Sequence, residues 1–135
     1  MADTLSYELV TPRGKFAGEG VLEIYALAET GEIGIMPGHD VMVLLLGTGP
    51  IKVVYPDRKE FFFCSKGYIQ IENDEVLILS EICETKDEID VERAKKSKER
   101  AEKRLKDNPD DLDWVRAEAS LKRAIQRTQV AEIAD

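Results

Sequence analysis

Glycine disappears halfway along this chain. All nine glycines lie between positions 14 and 67, and four of the five prolines (12, 37, 50 and 56) accompany them, leaving Pro109 alone beyond. Glycine and proline punctuate backbone structure, so the first part must turn often and the second can run without turning. Charge divides at the same place: residues 1–88 carry 7 basic and 16 acidic side chains, and residues 89–135 carry 12 and 11. Two structural regimes therefore meet near Asp87–Asp90, giving regions 1–88 and 89–135. With 135 residues the chain fits one domain, or one compact domain with an appendage, and a second enzyme-sized domain has no room.

Before the boundary the sequence reads as short extended runs: Ser6–Thr11, Gly20–Ala26, Gly34–Met36, Val41–Leu46, Ile51–Tyr55, Glu60–Cys64, Tyr68–Glu72 and Val76–Leu79. Runs recurring every 8 to 12 residues or so between Gly, Pro and Asp predict a β-sandwich. In the clearest of them, Tyr68–Leu79, two alternating patterns flank Asn73-Asp74 and predict a hairpin.

After the boundary Ala, Glu, Lys, Arg and Leu dominate, the stronger helix formers. Helix one is expected to start from Asp87 or Asp90 as N-cap and to run to about Lys106. Asp107-Asn-Pro-Asp-Asp then supplies a turn and the next cap, and so short a turn implies an antiparallel hairpin. Trp114, Ala117, Leu121, Ala124, Thr128 and Ala131 form a stripe on helix two; Val91, Ala94, Ala101 and Leu105 are its counterpart on helix one. Stripes so rich in alanine bury little area, so the hairpin is marginally stable and movable. The fold class expected is α+β.

Several functions are disfavoured at once. A net charge of -8 opposes nonspecific contact with nucleic acid or anionic lipid. The apolar runs fall far short of the roughly 20 residues that span a bilayer, so direct membrane insertion is not expected. The first residues lack the basic start and apolar stretch of a secretory signal, so the chain is expected in the cytosol or an equivalent compartment. Cys64 and Cys83 then read as buried free thiols. There is no Gly-x-x-x-x-Gly-Lys-Ser/Thr loop, one histidine and no cysteine pair at zinc spacing, so neither a catalytic centre nor a metal site is expected.

One string is specific. Gly31-Glu-Ile-Gly-Ile-Met-Pro-Gly-His39 resembles the Gly-Glu-x-Gly-Ile-x-Pro-Gly-His signature of the epsilon subunits of F-type ATP synthases. Cys64–Ile71, Ile89-Asp-Val-Glu-Arg-Ala94 and Leu121–Glu132 are similar to further segments of that family, so the resemblance covers nearly the whole chain. Lys66 departs from it, standing where the family commonly has a second glycine.

The resemblance implies a ten-stranded N-terminal sandwich that docks on the gamma subunit and the loops of the c-ring, followed by a regulatory helical hairpin. It implies a non-catalytic stalk subunit of a proton- or sodium-translocating synthase, peripheral on the cytoplasmic face of a bacterial inner membrane. Glu32 and His39 become contacts to gamma or the c-ring. The Ile-Asp-x-x-Arg-Ala motif resembles a bacterial ATP-binding element, which by matching positions comprises Glu84, Asp90, Arg93, Ala94, Arg123 and Arg127, with Arg100 a weaker addition.

The arginines support an anion independently. At 100° per residue Arg93, Arg100 and Arg104 share one face, and Arg116, Arg123 and Arg127 share another. If the hairpin brings these rows together, their guanidinium groups repel unless a polyanion such as a triphosphate bridges them. ATP is thus expected as a regulatory ligand, with no obligatory cofactor. In the extended state the hairpin is expected to reach the alpha/beta head and restrain hydrolysis. The isolated chain is expected to be monomeric. The competing readings are a stand-alone sandwich module dimerised by its helices, and a small nucleotide hydrolase.

Overall fold

In the computed structural model, which describes residues 4–107 and 113–133, the glycine-bearing part forms strands and the remainder forms helices. The strands are β1 (Leu5–Thr11), β2 (Gly14–Val21), β3 (Glu23–Ala28), β4 (Gly31–Ile35), β5 (Met42–Val54), β6 (Lys59–Glu72) and β7 (Glu75–Thr85). They pair in the order β2-β1-β7-β6-β5-β3-β4, antiparallel except for β1 and β7, which run parallel.

This single sheet curls until distant strands meet. The rings of Phe16 on β2 and Phe62 on β6, three places apart in the strand order, have centroids 5.3 Å apart. The amide of Leu22 reaches the carbonyl of Val54 at 2.8 Å. Every strand contributes to one enclosed core, with Leu9, Val21, Ile24, Ile35, Ile51, Phe62 and Ile78 among its members.

The strands number seven, not ten, because β5, β6 and β7 each continue through a bend that the sequence reading takes for a turn. On β5 and β6 the register is the same on both sides of the bend, from Met42↔Ile71 to Val54↔Lys59. What changes is the phase of burial. Core positions are Leu46 and then Ile51 and Val53 on β5, Phe62 and Cys64 and then Ile69 and Ile71 on β6, and Ile78 and then Cys83 on β7. Counting each bent strand as two recovers ten.

Lys66 stands at the bend with φ 62, a left-handed conformation that costs a residue with a side chain about 1–2 kcal/mol. Beside it, a Cβ on Gly67 would overlap the carbonyl oxygen of Leu79, so only glycine fits. Pro50, which cannot donate to the ladder, sits where the β3–β5 pairing shifts register. The sequence misses β2 because Gly14, Gly18 and Gly20 erase its alternation.

The signature string has a clear local role. Gly31–Ile35 is β4, and Met36-Pro-Gly-His39 is a turn in which the His39 amide bonds to the Met36 carbonyl at 3.2 Å. Proline in second place and Gly38 at φ 84 are the residues a type II turn requires. The Gly38 amide donates to Asp74 Oδ1 at 2.7 Å, fastening this turn to the β6–β7 hairpin. Asn73 and Asp74 have φ 52 and 61, the left-handed pair of a two-residue hairpin turn.

A short 3-10 turn (Lys86–Glu88) leads into α1 (Val91–Asp107), and α2 spans Trp114–Ala131. Asp90 caps α1, its Oδ1 accepting from the Arg93 amide at 3.0 Å. Asp113 caps α2 in the same way through the Arg116 amide, also at 3.0 Å. The cap of α2 therefore falls beyond the Asp107–Asp111 turn assigned to it; 108–112 lie outside the described residues. The buried side chains between the helices are alanines, Ala94 and Ala101 on α1 and Ala117 and Ala124 on α2.

The helix-two stripe is only partly buried. Trp114, at its start, is exposed, while Val130, which the stripe omits, is fully buried. The reason is that α2 has two neighbours, packing on α1 and also on β5 and β6. Val130 and Ile89 meet Phe63, which projects from the opposite face of β6 to Phe62 and Cys64. Phe61, Ile82 and Ala131 surround them.

Candidate functional site

The parallel pairing of β1 with β7 ends at Val10↔Leu79, whereas β7 continues to Thr85. Where β1 turns away, a cleft of about 510 Å³ opens, within the usual size range of ligand sites. Its walls come from three places: Thr11, Pro12 and Arg13 of the β1–β2 turn, Glu81–Glu84 of β7, and the first turns of α1 with Asp90, Arg93, Ala94 and Ser97. Glu88 and Arg127 complete it.

Arg127 is the link between the sheet and α2. Its Nε donates to Glu84 Oε1 at 2.6 Å, and its guanidinium carbon lies 4.8 Å from the centroid of the Phe63 ring. The two charged side chains are 29% and 20% exposed, so water screens this pair far less than a surface pair. Asp90 presents its carboxylate to the helix start, leaving the Arg93 side chain free to face the cleft.

Five of the expected ligand residues, Glu84, Asp90, Arg93, Ala94 and Arg127, thus share one cleft. Arg100 and Arg123 do not line it. Each reaches a serine three residues earlier on its own helix, Arg100 to Ser97 at 3.5 Å and Arg123 to Ser120 at 3.3 Å. Of the two arginine rows, Arg93 and Arg127 thus line one cleft, while Arg100 and Arg123 bond within their own helices. The cleft is not uniformly basic either, since Glu81, Glu84, Glu88 and Asp90 stand among its three arginines.

Glu32 and His39 stand at the two ends of the signature string, one within β4 and the other in the turn after it. Glu32, near the start of β4, lines a second cleft with Lys52, Phe61 and the α2 residue Gln126. His39 lies past the end of β4, its Nδ1 2.8 Å from the Asp40 carbonyl oxygen. Next to it begins an exposed apolar surface: Met36, Val41, Met42, Val43, Leu45 and Tyr68. Val43 and Leu45, at 66% and 61% exposure, lie on the stretch of β5 whose ladder partner is β6 alone, and together they leave an apolar face in water.

Cys64 and Cys83 face each other directly across β6 and β7 as free thiols, Cys64 buried and Cys83 half-buried. A hydrogen bond with Cys83, and then burial, push the Cys64 thiol above its ordinary range. Sequence reasoning missed Arg13, Glu81, Glu88 and Ser97 as cleft residues, and Phe63 as the platform under Arg127. They come from separate segments that only the ending of β1 brings together.

Comparison with known proteins fits both halves. Residues 4–86 match the family described as ATP synthase, Delta/Epsilon chain, beta-sandwich domain, and residues 87–132 match its long alpha-helix domain. The chain belongs to the ATP synthase delta/epsilon family. The ATP synthase epsilon chains of Staphylococcus aureus strains JH9 and Newman are each 42% identical to it over 132 residues, covering 97% of this chain and 98% of theirs.

Two solved structures show the same fold. One is from the Euglena gracilis mitochondrial ATP synthase, with TM-score 0.83 and 22% identity, covering 93% of this chain and 80% of that one. The other is from the Tetrahymena thermophila mitochondrial ATP synthase, with TM-score 0.62 and 17% identity, covering 95% and 96%. As a member of this delta/epsilon family the chain is a non-catalytic subunit of ATP synthase. Among its described residues no helix is long and apolar enough to cross a membrane.

Proposed function

We propose that this epsilon chain joins the catalytic head to the c-ring in the central stalk of a bacterial ATP synthase, and that its hairpin is a brake on hydrolysis released by ATP. The enzyme lies on the cytoplasmic face of the inner membrane and moves protons or sodium ions. The sandwich grips the gamma subunit through Val41, Val43, Leu45 and Tyr68, an apolar surface suited to a protein partner. His39, in the adjoining turn, and Glu32 contact gamma or the loops of the c-ring.

The observation that carries the regulatory part is the cleft at the seam between sheet and hairpin, with Arg93 and Arg127 on its walls. ATP held there by Glu84, Asp90, Arg93, Ala94 and Arg127 bridges the sandwich to both helices. Binding only the folded form, it adds about 2.7 kcal/mol at a hundredfold excess over Kd. That is enough to shift a hairpin seated on so few large side chains. Arg100 and Arg123 enter only if the helices rotate. Once the hairpin extends, its arginines become free to meet carboxylates on the alpha/beta head.

Calorimetry of the intact chain with ATP tests the ligand. Micromolar or tighter binding, lost in Arg93→Ala and Arg127→Ala, is expected; no heat at millimolar ATP refutes it. Capture of gamma tests the grip, which Val43→Asp with Leu45→Asp should abolish while leaving the fold intact.

A further inference from the structure

We propose that Arg13 is a phosphate contact of the seam cleft, so that the sandwich itself grips the tail of the bound nucleotide. This rests on the reading of the cleft as an ATP site, and adds a residue that belongs to neither helix. β1 leaves β7 after Val10↔Leu79, and the reversal into β2 brings Arg13 into the lining of the cleft that Arg93 also lines.

The β1–β2 turn is held in one conformation. Thr11 Oγ1 accepts from the amides of Arg13 and Gly14, both at 3.1 Å, and donates to the Gly14 carbonyl at 3.0 Å. Pro12 locks the intervening φ. The backbone that carries Arg13 therefore pays little ordering entropy on binding.

Arg127 is already paired with Glu84. Of the four carboxylates in the cleft, Glu84 holds Arg127, Asp90 is engaged in the helix cap, Glu88 accepts the Thr85 hydroxyl, and Glu81 stands exposed with no arginine within ion-pair distance among the described residues. Arg13 and Arg93 line the same cleft and have no ion-pair partner among the described residues. Two guanidinium groups on separate elements, neither held by a carboxylate, are bridged well by an anion with several oxygens, and guanidinium matches phosphate oxygens in shape as well as charge. Arg13 consequently reads the phosphates and not the base, and the bound anion ties the β1–β2 turn to the first turn of α1.

The test is calorimetric titration of the intact chain, Arg13→Gln and Arg13→Lys with ATP and with AMP, beside ligand-free melting curves. Arg13→Gln should weaken ATP about three- to tenfold, change AMP by less than about twofold and leave the ligand-free melting temperature unmoved. Arg13→Lys should recover part of the loss. If Arg13→Gln binds ATP as tightly as the unaltered chain, the inference falls while the ATP reading stands. Equal losses for ATP and AMP, or a lowered ligand-free melting temperature, also overturn it. If the unaltered chain ignores millimolar ATP, both fall.

Discussion

Replacing Phe63 with alanine should release the hairpin and leave the sandwich folded. Phe63 is fully buried, yet its ring lies outside the sandwich core, against Ile89 and Val130, and supports the guanidinium of Arg127. Removing a buried phenylalanine ring costs about 3–5 kcal/mol. Here that cost falls on one interface, whose other buried members are a single isoleucine and a single valine. At 1.4 kcal/mol per factor of ten, 3 kcal/mol multiplies the undocked population by roughly a hundred or more. Native-state amide exchange of the intact chain reads this directly. Amides of α1 and α2 should exchange faster by about that factor, while those of Leu9, Ile69 and Ile78 stay protected. Unchanged helix protection would refute the reasoning. Equal loss of protection in the strands would also refute it, by showing that Phe63 supports the sandwich as much as the seam.

A double-mutant cycle on Glu84→Gln and Arg127→Gln, read by the same exchange, should give a coupling of about 1–2 kcal/mol in hairpin docking; a value near zero would mean that water screens the pair. Lys66→Gly should stabilise the fold by about 1 kcal/mol in urea unfolding by relieving the left-handed backbone, whereas Gly67→Ala should destabilise it by more than about 3 kcal/mol through its collision with Leu79. Burial, and then the Glu60 carboxylate, raise the Tyr7 phenol above its ordinary 10.0, so the folded chain keeps a proton that the unfolded chain gives up. That stability is complete below pH 10 and lost as pH rises further. The decline in the urea midpoint between about pH 9 and 11 should be shallower in Tyr7→Phe.

Much of this architecture is legible in the sequence because local signals agree with the global fold. Alternation in Tyr68–Leu79 and the Asn73-Asp74 turn fix a hairpin, and Asp90 before a glycine-free run fixes the start of α1. Legibility fails where a residue answers to something distant. Gly47–Pro50 and Lys66-Gly67 look like turns, yet the neighbouring strands hold them in register. Val130 looks like a surface position until β6 supplies Phe63. In the cleft, periodicity finds Arg93 and Arg127 but also promotes Arg100 and Arg123, because a helical face records direction and not what stands opposite. Arg13 carries no periodic signal at all, since its place follows from the end of β1.

The bend shared by β5, β6 and β7 has a mechanical consequence. On one side of it these strands turn Val43, Leu45 and Tyr68 outward; on the other they turn Phe61, Phe63 and Ile82 towards the helices. One set of strands thus carries two sockets with a crease between them. A load borne by the first need not loosen the second, and substitutions can retune the hairpin seat without disturbing the grip. On the proposed function, a rotor part that holds fast at one end and lets go at the other gains independent adjustment of both.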